Sequence, residues 1–390
     1  MRLWDKGLPL DQKILEFTVG SDYLLDRRLV PYDILASKAH ARMLGACGHL
    51  AIADVQAIVE ALDQAQNDFD QGLWTVELED EDAHTSLEKR LGELGGKVHL
   101  GRSRNDQVLT ALRLYLKDVI HVVAVQIEQC QAALATLADE QGDIALPGYT
   151  HMQPAMPSCV RDWAAAFSSE LGDSLQALQA PLIFLDKNPL GSAAGYGTPG
   201  LNLDREQTTH ELGFRETHEP VTAPQLSRGK GEASLALGLY LILQDLGRLA
   251  ADLCLYNTAE FGFVRLPAEF TTGSSIMPQK RNPDVFELVR GHSAQSVGEL
   301  NAILAITAKM TSGYHRDLQL LKEPLFRLID RTLACLDTMA HAVPRIEFIR
   351  KRTEEANDPS MHAAEKAFQL AKERNISFRE AYRQVADELR

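Results

Sequence analysis

Between Pro224 and Pro267 the chain has no proline, and within that gap Leu235 to Leu255 is apolar on nearly every face, with Ala and Gly interleaved. Proline stops or kinks a helix, so its absence permits a single helix of about 30 residues, roughly 45 Å long. A helix apolar all round must be buried on every side. Four more long helices are predicted at 106–138, 160–186, 284–311 and 319–342; in the first, Leu109, Leu112, Leu116, Val119, Val123 and Ile127 recur at three- and four-residue steps. Leu29 to Leu62 is also helical in pattern, interrupted at Gly45 and Gly48. No strong strand pattern or internal repeat is visible, so the expected fold is all-α, a bundle of long helices. Helices of this length exceed what one small monomer buries, and helix-on-helix association between subunits is expected. The expected division is an N-terminal helical domain at 1–103, a central bundle at 104–345 and a short, charged, amphipathic helical domain at 346–390.

A length of 390 residues suffices for a large core. The formal net charge of −14 argues against nucleic acid or an anionic membrane as main partner. An anionic substrate would therefore need a local basic cluster. Cys47, Cys130, Cys159, Cys254 and Cys335 stand singly, without a C-x-x-C pair, as in reduced cytosolic proteins. The opening Met1-Arg2-Leu3-Trp4-Asp5-Lys6 lacks the apolar core of a signal peptide, and no uncharged apolar run reaches bilayer length. A cytoplasmic protein is expected.

Chemistry concentrates in a few polar knots. Thr272 to Asp284 holds Gly273, Ser274, Ser275, Pro278, Lys280, Arg281, Asn282 and Pro283. Gly273 permits φ > 0, which lets amide N–H groups converge, while Lys280 and Asn282 suit a substrate on which negative charge develops. Gly101-Arg102-Ser103-Arg104-Asn105-Asp106 precedes a long helix. It reads equally as a carboxylate site at a helix N-terminus or as a simple cap by Asn105 or Asp106. Pro147-Gly148-Tyr149-Thr150-His151-Met152-Gln153-Pro154 is a polar knot between predicted helices, in which His151 is either structural or a proton carrier. Tyr314, Gln319 and Lys322 follow the fourth long helix, the last two three residues apart on one helical face. The acidic run Glu77 to His84 precedes Thr85-Ser86-Leu87-Glu88, a helix-start pattern in which most of the carboxylates read as solvated and His84 is left open. Gly195, Gly197 and Gly200 form a nominal G-x-G-x-x-G, but no strand precedes it and Pro199 with Asn202-Leu203-Asp204 opens no helix, so a dinucleotide site is rejected. Zinc-ligand spacing is absent, which disfavours a metal-dependent hydrolase.

Taken together, the run 273–283, with Gln279, and the knots at 101–106, 148–151 and 314–322 resemble the argininosuccinate lyase family of the fumarase/aspartase superfamily. Leu3-Trp4 and Phe17 to Asp22 are similar to a bacterial branch of it. The resemblance implies a central helical domain flanked by two small ones, and reversible anti elimination of argininosuccinate to arginine and fumarate without metal or organic cofactor. It further implies Ser274 as the base, Lys280 and Asn282 as holders of the dianionic intermediate, His151 as proton relay and Glu287 as its orienting carboxylate. Ser103, Arg104, Asn105, Thr150, Tyr314, Gln319 and Lys322 map onto substrate-binding positions, with Ser21 or Asp22 as the N-terminal candidates. A homotetramer whose sites draw on three subunits is also implied. The chain departs from the family at Glu219 to Lys230, where an Asn-Ser-x-Asp and a Ser-Asp-Arg-Asp turn are usual, and in a shorter C-terminal segment. The first departure motivates an alternative, a sibling lyase for another N-substituted aspartate. An inert, crystallin-like relative is the other alternative, and the presence of every proton-transfer residue argues against it.

Overall fold

The computed structural model describes residues 11–389, so the Leu3-Trp4 opening lies outside them. The long helices form as Arg104–Gln141, Val160–Ala177, Lys230–Tyr256, Asp284–Thr307 and Lys322–Ala342. The helix predicted at 160–186 is broken: it ends at Ala177, and a single turn, Leu182–Leu185, follows Pro181. A proline cannot donate into the ladder, which separates the two. Along Lys230–Tyr256, Leu235, Leu239, Ile242, Leu246, Leu249 and Leu253 are buried, each contributing roughly 1.5–3 kcal/mol relative to exposure. Leu237 and Leu241 remain 48% and 42% exposed, so one stripe of this apolar helix has no cover among the described residues. The stretch Ala223–Tyr256 is long and apolar enough to cross a membrane by length and composition, although Asp245 and Arg248 interrupt its apolar run, and 56% of its most apolar window is buried in the protein.

The chain forms two compact units. The first comprises residues through Ala124, Gln176–Tyr240 and Ser296–Arg331. Its helices Val30–Ala46, Ile52–Asp70 and Ala83–Leu91 enclose a core of Ile34, Ile58, Leu62, Val76 and Leu87. The break in the 29–62 pattern falls at 47–51, after Gly45 has been accommodated inside a helix. Tyr115 meets Phe326 edge-on at 5.1 Å, tying Arg104–Gln141 to Lys322–Ala342 within this unit.

The second unit comprises Val125–Leu175, Leu241–Gln295 and the chain from Thr332 onward. Here Gly247 allows close helix packing, since a Cβ would stand 2.4 Å from the Ser293 hydroxyl. Trp163, Tyr256 and Phe348 form an aromatic cluster, and the Trp163 indole donates to Asp252 at 2.9 Å. The 147–154 knot is not a plain connection between helices. It is a hairpin, Ala145–Thr150 paired antiparallel with Gln153–Cys159, turning at His151 and Met152. Pro147, Pro154 and Pro157 hid it, because proline withholds a ladder donor and argues against a strand. At the C-terminal end, helices Ala363–Arg374 and Phe378–Glu388 pack with Phe368 stacked on Phe378 at 4.8 Å.

Candidate functional site

Within the first unit the helix Arg104–Gln141 opens on a reciprocal cap. The Ser103 N–H donates to Asp106 Oδ1 at 2.9 Å and the Asn105 N–H to Ser103 Oγ at 3.3 Å. Asp106 Oδ2 accepts the Gly191 and Ala193 amides at 2.9 and 2.8 Å, which ties the Gly-rich loop to this helix start. Burial pushes the Asp106 carboxyl up to about 6 against the pull of those amides. Asp106, rather than Asn105, is therefore the capping carboxylate.

The acidic run divides: Glu77 and Glu79 are exposed and Asp80 is half-buried, but its last two carboxylates are not solvated. Glu81 and Asp82 are buried. Asp82 caps Ala83–Leu91 by accepting the Thr85 N–H at 2.8 Å, so the helix starts upstream of the Thr85-Ser86 signal. Asp82 also binds the Arg104 guanidinium through Nε at 2.7 Å, with Glu81 at 3.5 Å. Burial, which would raise the Asp82 pKa, is overcome by His84 and Arg104, and it lies below the usual range. His84 is buried and donates through Nδ1 to Asp33 at 2.8 Å. Burial acts against its imidazolium, but the charge of Asp33 outweighs it and raises the His84 pKa.

Lys322 opens its helix fully buried, with Nζ 2.7 Å from Asp22 Oδ1 and bonded to Asp26. Burial pushes Asp22 up to about 7 against the Lys322 charge, while the two carboxylates outweigh burial at Lys322 and raise it. Gln319 lies in the 3₁₀ stretch Arg316–Leu321, whose last turn closes from the Lys322 N–H to the Gln319 carbonyl, and donates to the Thr18 and Val19 carbonyls at 3.1 and 3.2 Å. Asp22, Arg104, Asn105, Tyr314, Gln319 and Lys322 all line one cavity, which Ser21 and Ser103 do not. Asp26, Asp82, His84 and Arg228 line it as well. The sequence reading left them unassigned, although the polarity of the 77–84 run pointed toward Asp82 and His84 and the unusual 219–230 segment toward Arg228.

In the second unit the 272–284 loop is stapled at its base. The Asn282 N–H donates to the Thr272 carbonyl at 2.9 Å, the Asn282 amide to the Thr272 hydroxyl at 3.3 Å, and the Thr272 N–H to Asp284 at 3.2 Å. Gly273 does not adopt the left-handed conformation anticipated for it. Amides converge by other means: Ser274 Oγ accepts the N–H groups of Ile276 at 3.3 Å and Met277 at 3.2 Å, in a turn closed by its own side chain. Lys280, Asn282 and Glu287 line one cavity together with Cys254 and Arg290. The Glu287 carboxylate stands 4.0 Å from Arg290. Ser274 and His151 are not in that lining. His151, at φ 50°, is exposed at the hairpin tip beside Thr150, and Tyr149 anchors the hairpin against Phe261 at 5.6 Å.

The model of a lyase family matches residues 13–298. The argininosuccinate lyase of Thermotoga neapolitana is 40% identical over 390 residues, covering 99% of this chain and 98% of that protein. That of Sorangium cellulosum is 42% identical, covering 100% and 91%. Among solved structures, an EDDS lyase in complex with formate superposes with a TM-score of 0.80 at 25% identity, over 97% of this chain and 76% of that one. A class II fumarase from Schistosoma mansoni shares the fold, with a TM-score of 0.78 at 19% identity over 97% and 93%. With relatives this similar over nearly the whole length, and the long-helix fold in common, the chain belongs to the argininosuccinate lyase family of carbon–nitrogen lyases.

Proposed function

We propose that this protein cleaves argininosuccinate reversibly to L-arginine and fumarate, as a step of arginine synthesis in the cytoplasm, with Ser274 as the base. The observation that carries the assignment is the pair of loop amides on Ser274 Oγ. A serine removes a carbon-bound proton only if its alkoxide is stabilised, and preorganised N–H groups with Lys280 on the same loop supply that stabilisation. Ser274 takes the Cβ proton of the succinyl part, and the electron pair delocalises into the adjacent carboxylate. The C–N bond then breaks, with the pair leaving on the guanidino nitrogen. Lys280 and Asn282 hold the dianionic intermediate, so the reaction needs no metal or organic cofactor. His151 helps to relay a proton in the elimination, oriented by Glu287. Ser21, Asp22, Ser103, Arg104, Asn105, Thr150, Tyr314, Gln319 and Lys322 bind substrate.

The active form is a homotetramer with sites shared between subunits. Two features support this: Leu237, Leu241, Leu288, Val297 and Leu304 lie exposed on the long helices, and His151 stands at an exposed tip. In chain order, 1–103 and 346–390 act as small domains flanking the central 104–345.

The test follows fumarate absorbance when pure protein meets argininosuccinate. Turnover is expected, and Ser274→Ala should lower it by about 10²–10⁴-fold with the oligomer intact. Full turnover by that variant would remove Ser274 as the base. Silence on argininosuccinate, with activity on another N-substituted aspartate, would favour the sibling reading that the unusual 219–230 segment motivates.

A further inference from the structure

Arg228 lies in the segment where the chain departs from its family, and no role has yet been given to it. Its side chain is 3% exposed, it lines the cavity shared with Tyr314 and Lys322, and its Nε and Nη1 have no hydrogen-bond partner. A guanidinium that has left water without replacing those bonds is destabilising unless a ligand completes them. Its nearest acid, Glu232, stands 3.5 Å from Nε and already accepts the Gly229 N–H at 2.9 Å through its other oxygen. Every other cation among the described lining residues has a carboxylate inside the lining. Lys322 has Asp22 and Asp26, Arg104 has Asp82 and Glu81, and Arg316 lies 3.9 Å from Glu81.

Arg228 is also held in place. The next residue, Gly229, has φ 88°, and a Cβ there would stand 2.2 Å from Thr307 Cγ2. The guanidinium lies over the Tyr314 ring, 6.0 Å from its centroid. Ser227 accepts from Arg113 at 2.8 Å and donates to the Pro224 carbonyl at 2.7 Å, which fixes the turn before it. In a guanidinium so preset and buried, Nη1 and Nη2 form the fork that matches the two oxygens of a carboxylate, while Nε lies on the edge beside Glu232.

Which carboxylate follows from the remaining charges. Asp22, Asp26, Glu81 and Asp82 are paired with Lys322, Arg104 and Arg316, and the four acids outnumber those three cations by one. A succinyl dianion meets repulsion there, whereas a zwitterionic amino-acid end finds an acid for its ammonium and Arg228 for its carboxylate. Resting on the argininosuccinate reading above, we propose that Arg228 binds the α-carboxylate at the amino-acid end of the substrate. The 219–230 segment is then the specificity wall for that end.

The experiment compares argininosuccinate with succinylated agmatine, which lacks only the α-carboxylate. Wild type is expected to favour argininosuccinate in kcat/KM by about ten- to a hundredfold. The double variant Arg228→Gln/Glu232→Gln, which removes both buried charges together, should bring that ratio close to one through KM, with kcat on the agmatine compound retained. A ratio near one in wild type, or an unchanged ratio in the variant, overturns the proposal. Should the variant not fold, calorimetry on wild type decides: arginine binding no more tightly than agmatine overturns it, and tighter binding sustains it. Absence of fumarate from argininosuccinate defeats the underlying reading instead, and the arginine–agmatine comparison still reports on Arg228.

Discussion

Two of the residues assigned to substrate binding, Arg104 and Lys322, are already paired with acids in the chain, Asp82 and Asp22/Asp26 respectively. They shape the cavity more than they supply free charge to it. His40 belongs to the same supporting layer: fully buried, it donates through Nε2 to the Leu100 carbonyl at 2.8 Å, fixing the turn before the 101–106 knot. Burial, reinforced by the Arg102 charge, lowers its pKa to about 3. The folded pKa is depressed below the unfolded value near 6.5, so below that pH the unfolded chain takes up a proton that the folded one refuses. Stability present above pH 6.5 is lost as pH falls toward 3, by roughly 3 kcal/mol between 6.5 and 4 from this group. Thermal midpoints measured across that range should fall less steeply for His40→Gln, whose amide can make the same bond without titrating. An identical slope in the variant would show that His40 does not drive the loss.

Elements were legible where periodicity was long. Helix positions such as Leu109, Leu112 and Leu116 repeat an apolar step that only a helix brings to one face, and each is buried. The 145–159 hairpin was not legible, since its prolines carry a turn signal and its pairing depends on partners across the strands. Glycine shows the same contrast. Gly229 needs φ 88° and leaves no room for a methyl group, whereas Gly273 has no left-handed φ and open space around it. Gly229→Ala should therefore cost about 1–3 kcal/mol in thermal unfolding. Gly273→Ala should stay within about 0.5 kcal/mol of wild type, as an exposed substitution does. Equal shifts would mean that the difference in local space does not govern these positions.

At the scale of the whole molecule, a chain of net charge −14 holds Lys322, Arg104 and Arg228 each beside buried carboxylates, with Arg228 leaving Nε and Nη1 without a hydrogen bond. The exposed apolar stripe, with Leu237 and Leu241 on one helix, is the feature that asks for a neighbour. Light scattering should report a tetramer for wild type, and Leu237→Glu/Leu241→Glu should shift it to smaller species with activity lost in parallel; an active wild-type monomer would end the shared-site reading. By itself the sequence determined the helical class and the residue types of the chemistry, because apolar periodicity and motif spacing are local properties of the chain. Only the tertiary structure decided how fully each charge is paired. Arg104 and Arg228 read alike as basic residues near a polar segment, yet one finds two buried acids and the other keeps open N–H groups. Burial and pairing depend on residues distant along the chain that folding brings within a few ångströms, and no local pattern records those encounters.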